Sequence, residues 1–192
     1  MNDVESVKRT VDVLESENAS YALLHCTSMY PTPYNKIRLG SITQLRELFP
    51  NTVIGISDHS LSNLPSISAV ALGASIIERH FTSDMSWIGE DIEISVDPVG
   101  LKELIEGSQI VHQATGGSKT VLSEERPTID FAYASVVAIR DISSGETLTE
   151  ENIWVKRPGT GEILAYDLEK VLGKTSTREM TRGHQLGWSD VS

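Results

Sequence analysis

Two short apolar runs each end near a histidine: GISDHS at residues 55–60 and IIERHF at residues 76–81. His59 and His80 lie 21 residues apart, too far for neighbouring turns of one helix and suited to the ends of two adjacent strands. A neutral imidazole at a strand end is a good ligand for Mn²⁺, Zn²⁺ or Fe²⁺, and two on adjacent parallel strands can converge on one ion. The same spacing also fits histidines that are only hydrogen-bonded at a sheet rim, so spacing alone leaves both readings open. Asp58 and Glu78 add weight, because charges inside apolar strands need partners if they are buried. A structural salt bridge or exposure at the rim accounts for them equally.

HCTSMYP (25–31) gathers a histidine, a thiol, hydroxyls and a tyrosine at another strand end. Adjacent strand residues point to opposite faces, so His25 and Cys26 do not both face one site, and nucleophilic catalysis by Cys26 is disfavoured. Thr27 and Ser28 suit hydrogen bonds to a phosphate or sugar, or simple turn chemistry. In KRPGTG (156–161), Arg157 precedes a proline that fixes the backbone; it can present a guanidinium to an anion or simply be solvated. His112, within a helix, and His184, beside a turn glycine, read as surface residues.

The elements that must position these groups alternate. A helix over the first 20 residues is capped by Asn2 or Asp3, and YALLHCT (21–27) is a buried strand. The loop 28–40 is kept irregular by Pro31 and Pro33. Residues 41–50 form a helix with Ser41 as its cap, 52–58 a strand, 64–74 a helix, 75–81 a third strand, and 97–115 a helix capped by Asp97. Strands alternating with helices imply parallel βαβ units, whose functional groups sit at the carboxyl ends of the strands. Three strands cannot close an eight-stranded barrel, which takes about 250 residues. The α/β class is therefore either an open sheet or part of a barrel. A polar linker follows at 118–128, and a second, β-rich module occupies 129–192. Within it RDISSGETLTEENI (140–153) echoes REMTRGHQLGWSDV (178–191) at an offset of 38 residues, which predicts a pseudo-symmetric β module with turns at Gly145 and Gly183. Gly173 ends a helix at 164–174.

Composition removes other classes of function. A formal charge of −11 argues against nucleic acid, whose phosphates are bound by clustered Lys and Arg. No run approaches the roughly 20 apolar residues of a membrane span, and the N-terminus has no apolar signal core. One cysteine, Cys26, forms no internal disulfide, in keeping with a cytoplasmic default.

LLHCTSMYPTP, GISDHS, ALGASIIERHFT with GED soon after, and GETLTEENIWVKRPGTGEI, in this order, resemble the sialic acid synthase family, which includes N-acetylneuraminate, legionaminic and pseudaminic acid synthases. The resemblance runs through nearly the whole chain. It implies the last three βα units of a TIM barrel in residues 1–117, followed by an antifreeze-like SAF domain of β-clip type. The implied reaction condenses phosphoenolpyruvate with an N-acetylated aminosugar such as N-acetylmannosamine and releases phosphate. In it, His59 and His80 hold Mn²⁺ or Mg²⁺, Ser28 and Ser57 bind phosphoenolpyruvate, and Tyr30 and Asp91 contact the sugar. Phe131 and Arg157 cover the sugar from the partner subunit of a swapped homodimer.

The first half of the family's barrel, with its phosphoenolpyruvate-gripping lysines, has no counterpart in these residues, and Met1 and Asn2 resemble the tail of the family's fifth-strand turn. The expectation is a truncated or partial synthase. The alternative is a non-catalytic remnant acting as a carbohydrate-binding or interaction module through its SAF-like part.

Overall fold

The structure, a computed structural model, describes residues 1–192, which divide into two units, Met1–Gly117 and Ser118–Ser192. In the first, helix α1 (Val4–Ser16) starts where the Asp3 carboxylate accepts the Ser6 amide at 2.9 Å. Strands β1 (Ala22–Cys26), β2 (Val53–Ser57) and β3 (Ile76–Glu78) form one parallel sheet with β2 in the centre. Parallel neighbours need crossovers. These are supplied by α2 (Tyr34–Ile37) and α3 (Gly40–Leu48) between β1 and β2, and by α4 (Leu64–Ala71) between β2 and β3. Helix α5 (Pro98–Ala114) follows, with Asp97 accepting the Gly100 amide at 2.7 Å as its cap.

Ile37, Ile42, Ile54, Ile56, Ala69 and Ala74 make the core of this unit, with Leu23, Leu39, Leu45, Leu72 and Ile77 packed on it. Gly55 lies where the sheet leaves no room: a Cβ there would meet the Ile76 carbonyl and side chain. The bare backbone lets β2 and β3 stay in register, from Gly55 opposite Ile76 to Ser57 opposite Glu78.

Four sequence expectations change here. Ser41 lies inside α3 and does not cap it. Loop 28–40 contains the helix α2, which begins immediately after Pro33, because a proline just before a helix has its φ already set and owes no amide to it. Helix α4 stops at Ala71, where Gly73 adopts φ +95° and the amides of Gly73 and Ala74 bond back to Val70 and Ala69. Finally, β3 ends at Glu78, and the following backbone at His80 and Thr82 bonds to Val96 instead.

In the second unit the stretch read as a polar linker, 118–128, is irregular to Leu122 and helical from Ser123. A 3₁₀ turn at Ser123–Glu125 leads into α6 (Arg126–Ala132), with Glu125 accepting the Leu122 amide at 2.8 Å and a proline in the first helical turn. Strands β4 (Ser135–Ala138) and β5 (Ile153–Lys156) pair antiparallel, and a short helix α7 (Leu168–Val171) precedes Gly173. Val136, Ala138, Ile142, Leu148, Ile153, Ile163, Val171, Met180 and Leu186 form the core.

The sequence echo is realised as backbone symmetry. Ile142 and Met180, equivalent positions 38 residues apart, exchange both hydrogen bonds, at 2.8 and 2.9 Å. Around that pair the bonds come in mates. Gly145 donates to Ser176 as Gly183 donates to Ala138, and Leu148 donates to Lys174 as Leu186 donates to Val136. Gly145 and Gly183 both take positive φ, +81° and +92°. The side chains at 140, 146 and 152 repeat at 178, 184 and 190 with roles exchanged. Glu146 accepts from Arg140 at 2.6 Å and from Asn152 at 3.1 Å, whereas Asp190 accepts from Arg178 at 2.6 Å and from His184 at 2.8 Å. His184 is thus a surface residue, as its sequence context implied, that also partners Asp190 in an ion-pair network.

Arg140, the Ser143 amide and Asn152 hold the Glu146 carboxyl down from 4.5 to about 2. A depressed carboxyl stabilises the fold above its unfolded pKa, and that stability is lost as pH falls through the folded value. Urea midpoints measured between pH 4.5 and about 2 should therefore fall more steeply for wild type than for Glu146→Gln; parallel pH profiles would contradict the assignment.

Candidate functional site

The last register pair of β2 and β3 is Ser57 opposite Glu78. Continuing past it, Asp58 stands level with Arg79 and His59 with His80, at the carboxyl ends of two adjacent parallel strands. The imidazole centroids are 5.2 Å apart, with planes inclined at 64°. The Tyr30 ring lies 4.3 Å from that of His59 and 6.2 Å from that of His80. Tyr30 is brought there by its loop: the Thr32 amide donates to the His59 carbonyl at 3.0 Å, and the Thr32 hydroxyl donates to the Met29 carbonyl at 2.7 Å.

Each histidine turns one ring nitrogen toward an oxygen. His59 Nδ1 is 3.5 Å from the Thr27 carbonyl, and His80 Nδ1 is 3.6 Å from Asp91 Oδ2. Backbone or carboxylate oxygens beside Nδ1 are the outer partners usual for metal-binding histidines, and they direct Nε2 to the ion. Two imidazoles in adjacent positions on one ion, at metal–nitrogen distances of about 2.1–2.2 Å, have centroids roughly 5 Å apart, so the separation fits joint ligation. No cluster of three or more His, Cys, Asp or Glu ligands is formed. The protein supplies two nitrogens, and the remaining positions would fall to water or substrate.

Behind the histidines lies a buried ion pair. Arg79 Nη1 is 3.2 Å from Asp58 Oδ2, with side chains only 4% and 1% exposed. Asp58 also accepts from the Ser60 amide at 2.9 Å and the Ser66 hydroxyl at 2.7 Å. The guanidinium further donates to the carbonyls of Ser62 (2.7 Å), Ser60 (2.7 Å) and Ile94 (3.3 Å). Of the two readings open for Asp58, the structural salt bridge is the one found. Glu78 instead accepts the Ser57 hydroxyl at 2.7 Å.

The other sequence candidates separate into groups. The buried His25 is bound through Nε2 to the Ile37 carbonyl at 2.6 Å, so it serves the fold. Cys26, on the opposite face, brings Sγ within 3.9 Å of His59 Nδ1 and 3.8 Å of the Ser28 hydroxyl. Ser28 and Cys26 line an open cavity of about 380 Å³ that also includes Arg38 and Gln44. In the second unit, the Arg157 guanidinium lies 6.0 Å from the centroid of the exposed Phe131 ring, at the limit of a cation–π contact. Loop 156–161 is tied down by the Gly159 amide on the Asp130 carbonyl and by the Ser135 hydroxyl on the Pro158 carbonyl.

Sequence reasoning passed over Arg79 and Thr32. For Arg79 a signal existed: Asp58 and Arg79 have the same 21-residue spacing as the histidines they precede. Removing one member of a buried pair leaves the other charge uncompensated, at a cost of about 3–5 kcal/mol. Asp58→Ala should lower the unfolding free energy of the first unit by that order in urea titration; a change below about 1 kcal/mol would show that the pair is hydrated or dispensable.

The NeuB family profile matches residues 1–120 and the SAF domain profile residues 133–192. An uncharacterized protein of Methanocaldococcus jannaschii is 38% identical over 193 residues, covering 100% of this chain and 57% of its own length. The N,N'-diacetyllegionaminic acid synthase of Campylobacter jejuni is 37% identical over 182 residues, covering 93% of this chain and 54% of its own. Among solved structures, the N-acetylneuraminic acid synthetase of Leptospira borgpetersenii superposes with a TM-score of 0.62 at 31% identity, over 67% of this chain and 45% of that one. The chain thus spans about half the length of the curated relatives it matches. With one profile covering residues 1–120 and the other 133–192, the chain belongs to the NeuB family and carries a SAF domain.

Proposed function

We propose that these residues form the metal and aminosugar side of a nonulosonic acid synthase site, which condenses phosphoenolpyruvate with an N-acetylated aminosugar such as N-acetylmannosamine and releases phosphate. The observation that carries this reading is the convergence of His59 and His80 at 5.2 Å, with the Tyr30 ring against His59 and Asp91 beside His80. In this reading β1, β2 and β3 are the last three strands of a TIM barrel, the reaction is cytoplasmic, and the lysines that grip phosphoenolpyruvate in the family are not among these residues.

His59 and His80 would hold Mn²⁺ or Mg²⁺, which would supply Lewis acidity at the sugar's aldehyde oxygen. The chain's own groups do the rest. Asp91, with Oδ2 3.6 Å from His80 Nδ1, stands beside that imidazole and offers a carboxylate oxygen to a sugar hydroxyl. Tyr30 covers one face of His59 and keeps bulk water from it, while its hydroxyl contacts the sugar. Ser57 and Ser28 donate to phosphoenolpyruvate, and Ser57 is oriented by its bond to Glu78. C3 of phosphoenolpyruvate attacks the aldehyde carbon; water adds at C2, and cleavage of the C–O bond expels phosphate. Phe131, on α6, and Arg157, on the loop at 156–161, cover the sugar from the partner subunit of a swapped dimer.

Two measurements test the reading. Titration of Mn²⁺ followed by electron paramagnetic resonance should show binding by the chain, weakened at least about tenfold by His59→Ala or His80→Ala, since each removes one of the two protein ligands. Unchanged affinity in both variants would remove the site. The whole polypeptide to which these residues belong, given phosphoenolpyruvate, Mn²⁺ and a panel of N-acetylated sugars, should release phosphate with one of them. No release with any sugar, alongside retained carbohydrate binding, would favour a binding module instead.

A further inference from the structure

We infer that Arg79 is a positioning residue for the two histidines, and that it acts through its fork of backbone contacts and not through charge neutralisation. The inference rests on the proposed metal site. Asp58 precedes His59 and Arg79 precedes His80, so the pair joins the two strand ends at the residues immediately before the imidazoles. The guanidinium reaches further than its counter-ion. Nη1 and Nη2 together take the carbonyls of Ser60 and Ser62, on the segment after His59, and that of Ile94, two residues before the Val96 whose amide donates to the His80 carbonyl at 2.8 Å.

Arg79 therefore fixes three backbone segments at one point: the turn leaving His59, its own strand end leading into His80, and the strip at 94–96 that receives His80. Only a planar fork with several donors makes all these bonds at once; an ammonium is a point charge on a flexible stem. All of the guanidinium's hydrogen bonds go to Asp58 and these carbonyls and none to an imidazole, which leaves the histidines free of it.

Two variants of the full chain separate positioning from stability. Arg79→Lys keeps a cation beside Asp58 and loses the fork. The double variant Asp58→Leu with Arg79→Met removes both charges together, a replacement that buried pairs tolerate with little loss of stability, and it removes the fork too. Both should retain the far-ultraviolet circular dichroism of the wild type, yet bind Mn²⁺ roughly 10–100-fold more weakly, the range usual for lost outer-shell partners. Substituted Co²⁺ should show a weakened and shifted visible d–d band.

Wild-type Mn²⁺ affinity and an unchanged Co²⁺ band in either folded variant would overturn the positioning role and leave the metal site standing. Restoration by Arg79→Lys alone would show that charge, not the fork, is what the site needs, and overturns the inference equally. If wild type itself binds neither ion, the metal reading fails, and this inference falls with it.

Discussion

The first unit depends on how it accommodates two charges in its interior. Asp58 and Arg79 are almost wholly removed from water, and removing such ions from water costs several kcal/mol each unless every polar atom finds a partner. The chain offsets most of that cost with a hydroxyl, a backbone amide and three carbonyls, contributed by the turn at 60–62, by α4 and by the strip at 94–96, and leaves only Arg79 Nε without a partner. Burial of the pair thus dictates where those segments lie. The histidines, one residue further along each strand, are placed as a consequence.

The surrounding packing serves the same placement. Gly55 lets β2 lie close against β3, so that their ends coincide in register. Thr32 ties the Tyr30 loop to the His59 carbonyl, so the aromatic lid and its histidine are fixed together. The second unit applies a different rule. It folds as two copies of one strand–turn–strand unit related through the Ile142–Met180 pair, with a carboxylate network in each copy. Gln185, in the second copy, donates to the Pro158 carbonyl and so ties that copy to the loop carrying Arg157.

Much of this was legible in the residues. Period and punctuation located the three strands and α5, and the echo between 140–153 and 178–191 announced the repeat later seen in the hydrogen bonds. The pair His59 and His80 was readable as two strand ends because both follow apolar runs. What pattern could not supply was three-dimensional partnership. Arg79 looked like one more charge in IIERH until the fold showed it buried, and the Asp190 partner of the surface residue His184 was not visible in the sequence. Element limits failed where local chemistry competed: the Gly73 turn shortened α4, and the Glu125 carboxylate on the Leu122 amide starts a 3₁₀ turn inside the apparent linker that leads into α6.

The central claim is that β2 and β3 end in one cation site made by His59 and His80. Anomalous diffraction at the manganese edge, from crystals grown with Mn²⁺, tests it most directly. The account predicts a single strong peak within about 2.0–2.3 Å of Nε2 of both histidines. A peak bound to only one of them, or a manganese site elsewhere in the chain with none between them, would contradict it.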